Sequence, residues 1–198
     1  MLSRMKKNRF LRGWLRGALL ACLLLAAPSL FAQQRYSDGI DDALQYLPYA
    51  TVVGLKIGGV DSRDDWPQLA AATAASWVVT AGVAYALKHA VSETRPDGSD
   101  NRSFPSGHSS VAFAGATMLA IEYGHLSPWI VVGGYSVATF VAVDRVARDR
   151  HHWYDVAAGA GIGVLSAGLT HYLSDKIFGH RRVAMGFSGN RIDVALRW

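Results

Sequence analysis

Four uncharged runs of nearly equal length dominate residues 66–174, and helices in or across an apolar layer are the natural way to fold them. Residues 66–87 hold 22 consecutive positions without Asp, Glu, Lys or Arg, 103–121 hold 19, 126–143 hold 18 and 156–174 hold 19. A helix that crosses a bilayer needs about 20 mostly apolar residues, so all four qualify on length. Their many Gly, Ala and Ser residues lower hydropathy, and small residues also let membrane helices pack closely. A shorter apolar piece, 44–57, carries Pro48 near its start and Lys56 near its end; it either spans with a snorkelling lysine or only dips into the layer. The competing reading is an exported soluble bundle whose apolar helices form the core, although runs of 18–22 residues are long for that role.

The 198 residues suit one domain. Lys and Arg number 20 against 15 Asp and Glu, a balance that in a soluble chain would raise nucleic-acid binding. The surplus is local, however. Arg4, Lys6, Lys7, Arg9, Arg12 and Arg16 all precede residue 33, where no acid occurs, and the remainder is slightly acidic. Nucleic acid is therefore excluded as a partner. Residues 1–32, basic and then apolar, read as a signal peptide or an uncleaved N-terminal membrane anchor. The one cysteine, Cys22, lies inside that run and rules out a disulfide framework. Residues 33–182 form the expected helical domain and 183–198 a tail, which alternates weakly around Ser188-Gly189-Asn190 as a hairpin would.

Threading the runs alternately across a membrane, with the basic N-terminus inside, puts 88–104 and 144–154 on the same external side. Those two loops, with the helix starts that follow them, hold the residues with chemistry to offer. Lys88 and Arg95-Pro96 follow the 66–87 run, with the proline forcing the backbone out of helix. Pro105-Ser106-Gly107-His108 stands where a helix would begin: Pro suits the first turn, Ser caps it, and Gly lets a ligand approach the backbone. Arg145, His151 and Asp155 come third. A His and an Asp four apart share one face of a helix, so Asp155 can hold one ring nitrogen of His151 and leave the other free as a nucleophile. The cations Lys88, Arg95 and Arg145 suit phosphate oxygens, the two arginines as planar forks, and the free N–H groups of a helix start also favour an anion. His108 is placed to protonate a leaving oxygen. Arg145, Arg148 and Arg150 would repel a metal ion at His151 and His152, so no metal is expected. His89, His125, His171 and His180 belong to no motif and read as packing or interfacial residues. Trp66, Trp129 and Trp153 fall at segment ends, as an aromatic belt would place them.

The ordered pattern Lys-x6-Arg-Pro, Pro-Ser-Gly-His, Arg-x5-His-x3-Asp over roughly 66–174 resembles the type 2 phosphatidic acid phosphatase superfamily. That family takes in lipid phosphate phosphatases, exported bacterial acid phosphatases and vanadium haloperoxidases. The resemblance implies an all-α, membrane-embedded bundle of about five to six helices and a phosphatase needing no cofactor. It implies His151 as nucleophile, Asp155 as its orienting carboxylate and His108 as proton donor and later base. Lys88, Arg95, Ser106, Gly107 and Arg145 would bind the phosphoryl oxygens. The expected substrate is a lipid phosphate monoester or diphosphate in the bilayer, cleaved at the periplasmic face of a bacterial inner membrane. Alternatives are a soluble periplasmic acid phosphatase, a vanadium-dependent haloperoxidase and an inactive membrane protein binding anionic lipid. One position departs from the family pattern: Asp144 stands where a serine usually precedes the third-motif arginine.

Overall fold

Proline and serine set where the helices start. The computed structural model describes residues 40–178, 182–188 and 191–197; the expected signal peptide or anchor, 1–32, lies outside them. Six helices follow in order: α1 Ile40–Leu44, α2 Leu47–Ile57, α3 Trp66–Ala90, α4 Gly107–Tyr123, α5 Pro128–Ala147 and α6 Trp153–Phe178. Proline occupies the first turn of α2, α3 and α5, where its missing N–H costs no helical bond and its fixed φ favours the helix. Ser127 caps α5 through its side chain. The tail adds a two-stranded antiparallel hairpin, β1 Arg182–Ser188 with β2 Arg191–Arg197, in the register Arg182 to Arg197 and Ser188 to Arg191.

The helical domain is organised around α4, which packs against α2, α3, α5 and α6. Twelve of its seventeen residues are buried. Three other helices, α3, α5 and α6, are long and apolar enough to cross a membrane, yet they bury only a minority of their residues. Large apolar side chains point outward along them, among them Val78, Val132, Val143, Leu165 at 74 % exposure and Ile177 at 75 %. A water-soluble helix buries such residues on one stripe; exposure of this extent fits lipid. Trp66, Trp129 and Trp153 stand outward at the first turns of α3, α5 and α6.

Two expectations from the runs change. The 103–121 run starts its helix at Gly107, where the Pro-Ser-Gly-His stretch predicted a start, but that helix is shielded by its neighbours rather than facing lipid. The physical reason is its content of Ala, Gly and Ser, which permits close approach on every side. The 44–57 piece is broken at Gln45-Tyr46, and α2 has 11 residues, about 16 Å at 1.5 Å per residue, too short to cross about 30 Å of hydrocarbon.

Close packing of α6 on α4 depends on two glycines one turn apart. A Cβ at Gly159 would lie 2.5 Å from the Ser106 carbonyl oxygen, and one at Gly163 would collide with the Ser110 carbonyl. With hydrogen in their place, the two backbones meet, and the start of α6 is carried to the start of α4.

Candidate active site

Because consecutive helices alternate in direction, the end of α3, the start of α4, the end of α5 and the start of α6 share one end of the bundle. Lys88, Arg95, Gly107, His108, Arg145 and His151 line a single cleft of about 370 Å³ there. Ser106 and Asp155 are buried beside them, joined where the Ser106 N–H donates to the Asp155 carbonyl at 3.0 Å. All eight residues singled out from the sequence therefore come together.

Ser106 is the N-cap of α4 and accepts from the Ser109 N–H through its side chain. Its neighbour Gly107 meets only the Lys88 side chain, with a virtual Cβ 3.8 Å from Lys88 Cε, so the start of α4 is open toward the cation. Lys88 Nζ donates to the carbonyls of Arg102 at 2.9 Å and Ser103 at 3.4 Å. The peptide bond Phe104–Pro105 is cis.

The loop that carries Arg95 is folded on itself. Ser103 N–H donates to the Glu93 carbonyl and Arg95 N–H to that of Asp100. The loop is also fastened to the 148–152 segment and the first turn of α6: Asp97 N–H donates to the Asp149 carbonyl, Arg150 pairs with Asp97 at 3.0 Å, and Tyr154 Oη donates to Glu93 at 2.6 Å. Arg95 is held by Asp100 at 2.9 Å and donates to the Arg150 carbonyl at 2.9 Å. A guanidinium N–H of Arg95 lies 3.3 Å from His151 Nε2.

His151 is almost fully buried. It does not lie on the helix, as the four-residue spacing predicted, but two residues before α6, because Asp155 is used for capping. Its Oδ2 accepts the His152 N–H at 2.9 Å, the back-bond of a capping box. His151 Nδ1 stands 3.6 Å from Asp155 Oδ2, outside hydrogen-bond range. Ser103 joins the two: its Oγ is 3.4 Å from His151 Nδ1 and donates to Asp155 Oδ2 at 2.5 Å. Burial pushes the imidazole down to about 3, with the charges of Lys88, Arg95 and Arg145 acting in the same direction and Asp155 opposing them. The ring is neutral at pH 7, and with Arg95 donating toward Nε2 the lone pair falls on that nitrogen.

Three residues at the site carried no motif. Ser103 precedes the Pro-Ser-Gly-His stretch, and a hydroxyl two residues upstream of it was the available signal. Asp41 and Asp42 come from α1. Asp41 is ion-paired with buried Arg145 and, at 3.2 Å, with Arg148; Asp42 Oδ1 lies 2.6 Å from His108 Nε2. Burial alone would raise the Asp41 carboxyl, but the hydrogen bond and charge of Arg145, joined by Arg148, hold it below its ordinary value. Asp144 pairs with Arg148 at 3.4 Å, across one helical turn.

Comparison with known proteins gives a consistent set. A family model, the PAP2 superfamily, matches residues 68–178. The lipid A 1-phosphatase of Porphyromonas gingivalis is 36% identical over 140 residues, covering 70% of this chain and 32% of that protein. Lipid phosphate phosphatase 1 of Arabidopsis thaliana is 38% identical over 82 residues, 36% of this chain and 25% of that one. The chain thus spans about a third or less of the length of these relatives. The crystal structure of Aquifex aeolicus LpxE superposes with a TM-score of 0.54 at 21% identity, covering 70% of this chain and 87% of that one, and shows a shared fold.

Proposed function

The chain belongs to the PAP2 superfamily, and from that premise we propose that it hydrolyses lipid phosphate through a phosphohistidine on His151. The observation that carries this reading is the setting of the His151 ring, whose Nδ1 faces Ser103 and Asp155 and whose Nε2 faces Arg95 in the cleft. A buried imidazole kept neutral among three cations is a nucleophile placed where a phosphate dianion would be drawn.

The steps balance without an added reagent. Nε2 attacks phosphorus, the bond from phosphorus to the lipid oxygen breaks, and His108 gives its proton to that oxygen. His108, now neutral, takes a proton from water. The hydroxide attacks phosphorus, the P–N bond breaks, and inorganic phosphate leaves. As charge builds on the phosphoryl oxygens, Lys88, Arg95 and Arg145 with the N–H groups at the start of α4 stabilise it. Ser103, itself anchored on Asp155, accepts Nδ1–H and so keeps the lone pair on Nε2. Burial and the Arg145 charge push the His108 imidazole below its ordinary value, and the contact with Asp42 opposes them, favouring the imidazolium that the first step requires.

Two features support a lipid rather than a soluble substrate. The cleft has an apolar wall from Ala81, Ala84, Tyr85 and Val111, suited to the hydrocarbon beside a phosphate. The outward apolar faces of α3, α5 and α6 support a reading in which the same end of the bundle lies at a membrane surface, which we assign to the periplasmic side of an inner membrane. Phosphate release from a panel of lipid and soluble monoesters and diphosphates tests the proposal, using detergent-purified protein in EDTA beside His151→Ala. Release from lipid substrates that is lost in the variant is expected. Faster turnover of soluble esters would favour an acid phosphatase, and no release from any substrate would overturn the reading.

A further inference from the structure

At the end of the bundle away from the cleft, three ionisable side chains from three elements turn toward one another in the interior. Asp64 comes from the loop before α3, Glu122 from the last turn of α4 and His171 from α6; all three are buried. Glu122 is 14 residues beyond His108 on α4, about 21 Å along the axis, so the cluster is separate from the phosphatase site. One donor atom from each residue lies within 4.8 Å of the others.

Several polar atoms around this group are engaged elsewhere, and four atoms of the three side chains are left without hydrogen bonds. Glu122 Oε2 accepts the Asp64 N–H at 3.1 Å, leaving Oε1 without a partner. Asp64 Oδ2 and both ring nitrogens of His171 also lack hydrogen bonds. The nearby cations are directed elsewhere: Arg63 to Asp175 at 3.1 Å, and Lys56 to Ser62 and the Asp64 carbonyl. Two buried carboxylates side by side without a facing cation are costly. A dication at the centre would neutralise both and engage Glu122 Oε1, Asp64 Oδ2 and one ring nitrogen of His171.

We propose that Asp64, Glu122 and His171 form a binding site for a divalent transition-metal cation. Two carboxylates with one imidazole suit zinc or manganese better than magnesium or calcium, which favour all-oxygen sets. The surroundings of His171 have the form such sites take. Its Nδ1 faces Asp64 Oδ2 at 3.5 Å, while its Nε2 faces Asp175 Oδ2 at 3.4 Å on the other side. Asp175 is itself fixed by Arg63 and by Gln68 at 2.7 Å. A metal-bound histidine usually donates its second N–H to a carboxylate, and Asp175 stands in that place. Bonds of about 2.1 Å to one ion put tetrahedral donors about 3.4 Å apart; His171 Nδ1 and Asp64 Oδ2 already stand at 3.5 Å, and every pair in the set lies within 4.8 Å. The ion would tie the loop before α3 to the ends of α4 and α6.

The test uses the full chain in detergent, stripped with chelator and reloaded with zinc or manganese alone. One equivalent retained after desalting, together with a rise in thermal midpoint, is expected for the wild type. Glu122→Gln and His171→Asn should retain none, and Asp175→Asn should bind about 10–100-fold more weakly. A stripped wild type that takes up no metal and melts at the same temperature with and without it would overturn the proposal, leaving carboxyls that share a proton. Uptake unchanged in both ligand variants would overturn it too, by placing the ion elsewhere. Because metal content and melting are read directly, failure here is distinguishable from failure of the phosphatase reading.

Discussion

His151 is where one residue's surroundings set its chemistry. A free histidine titrates near pH 6.5; here burial and three cations move that to about 3. The proposed nucleophile accordingly stays neutral through mildly acid conditions, and its protonation should limit kcat/KM only far below pH 6.5. The sign for stability follows. The unfolded chain takes up this proton near 6.5 and the folded chain only near 3, so acidification through that window favours unfolding. Arg95→Ala removes one of the responsible cations and one phosphate ligand. Its pH–rate profile should show the acid limb moved toward neutrality and a rate lowered on the order of 10²–10³-fold. An unmoved limb would mean that Arg95 does not act on the ring. Lys88, His108, Arg145 and His151 were legible in the sequence because their spacing is that of a recurring motif. Ser103, Asp41 and Asp42 were not, since a serine in a loop and two acids after a targeting segment look like solvated residues until the fold brings them to His151, Arg145 and His108.

For single elements, the contact of α6 with α4 matters most. It sets Asp155 against Ser106, and it depends on the absence of side chains at Gly159 and Gly163. Gly163→Val should lower stability by roughly 1–3 kcal/mol or more through overpacking and reduce activity with it, as the two helix starts separate. Gly161 on the same helix meets nothing within 4 Å, and Gly161→Ala should hold or raise the melting point, since alanine is favoured over glycine in a helix by about 1 kcal/mol. Comparing the two variants by thermal melting in detergent separates packing from helix propensity; equal effects would contradict the packing account. Helix boundaries were readable where Pro or Ser marks a start. They failed at α2, broken at Gln45-Tyr46; the start of α4 was marked by Pro105 and Ser106, but its central position follows from how its neighbours surround it and is written in no local pattern.

Taken whole, the domain combines an interior rich in Ala, Gly and Ser around a few large side chains such as Leu69, Met118 and Tyr123 with many large apolar side chains outside. That pattern was visible as four uncharged runs. Its orientation is our proposal and has a direct check. Single cysteines in a Cys22→Ser background at Asp97, near the cleft, and at Ser62, near the opposite end, should differ in reaction with a membrane-impermeant thiol reagent applied to intact cells with a permeable outer membrane. Labelling at 97 alone is predicted; labelling at 62 alone would invert the topology and put the chemistry inside.

The central claim is covalent attachment of phosphate to His151. Brief reaction with a lipid substrate carrying labelled phosphate, followed by denaturation in alkali, should leave label on the protein that survives base and is released by acid, as a phosphoramidate is. His151→Ala should carry none. Label that is lost in base, or that persists in the variant, would contradict the account by placing the phosphoryl group on a carboxylate or another side chain.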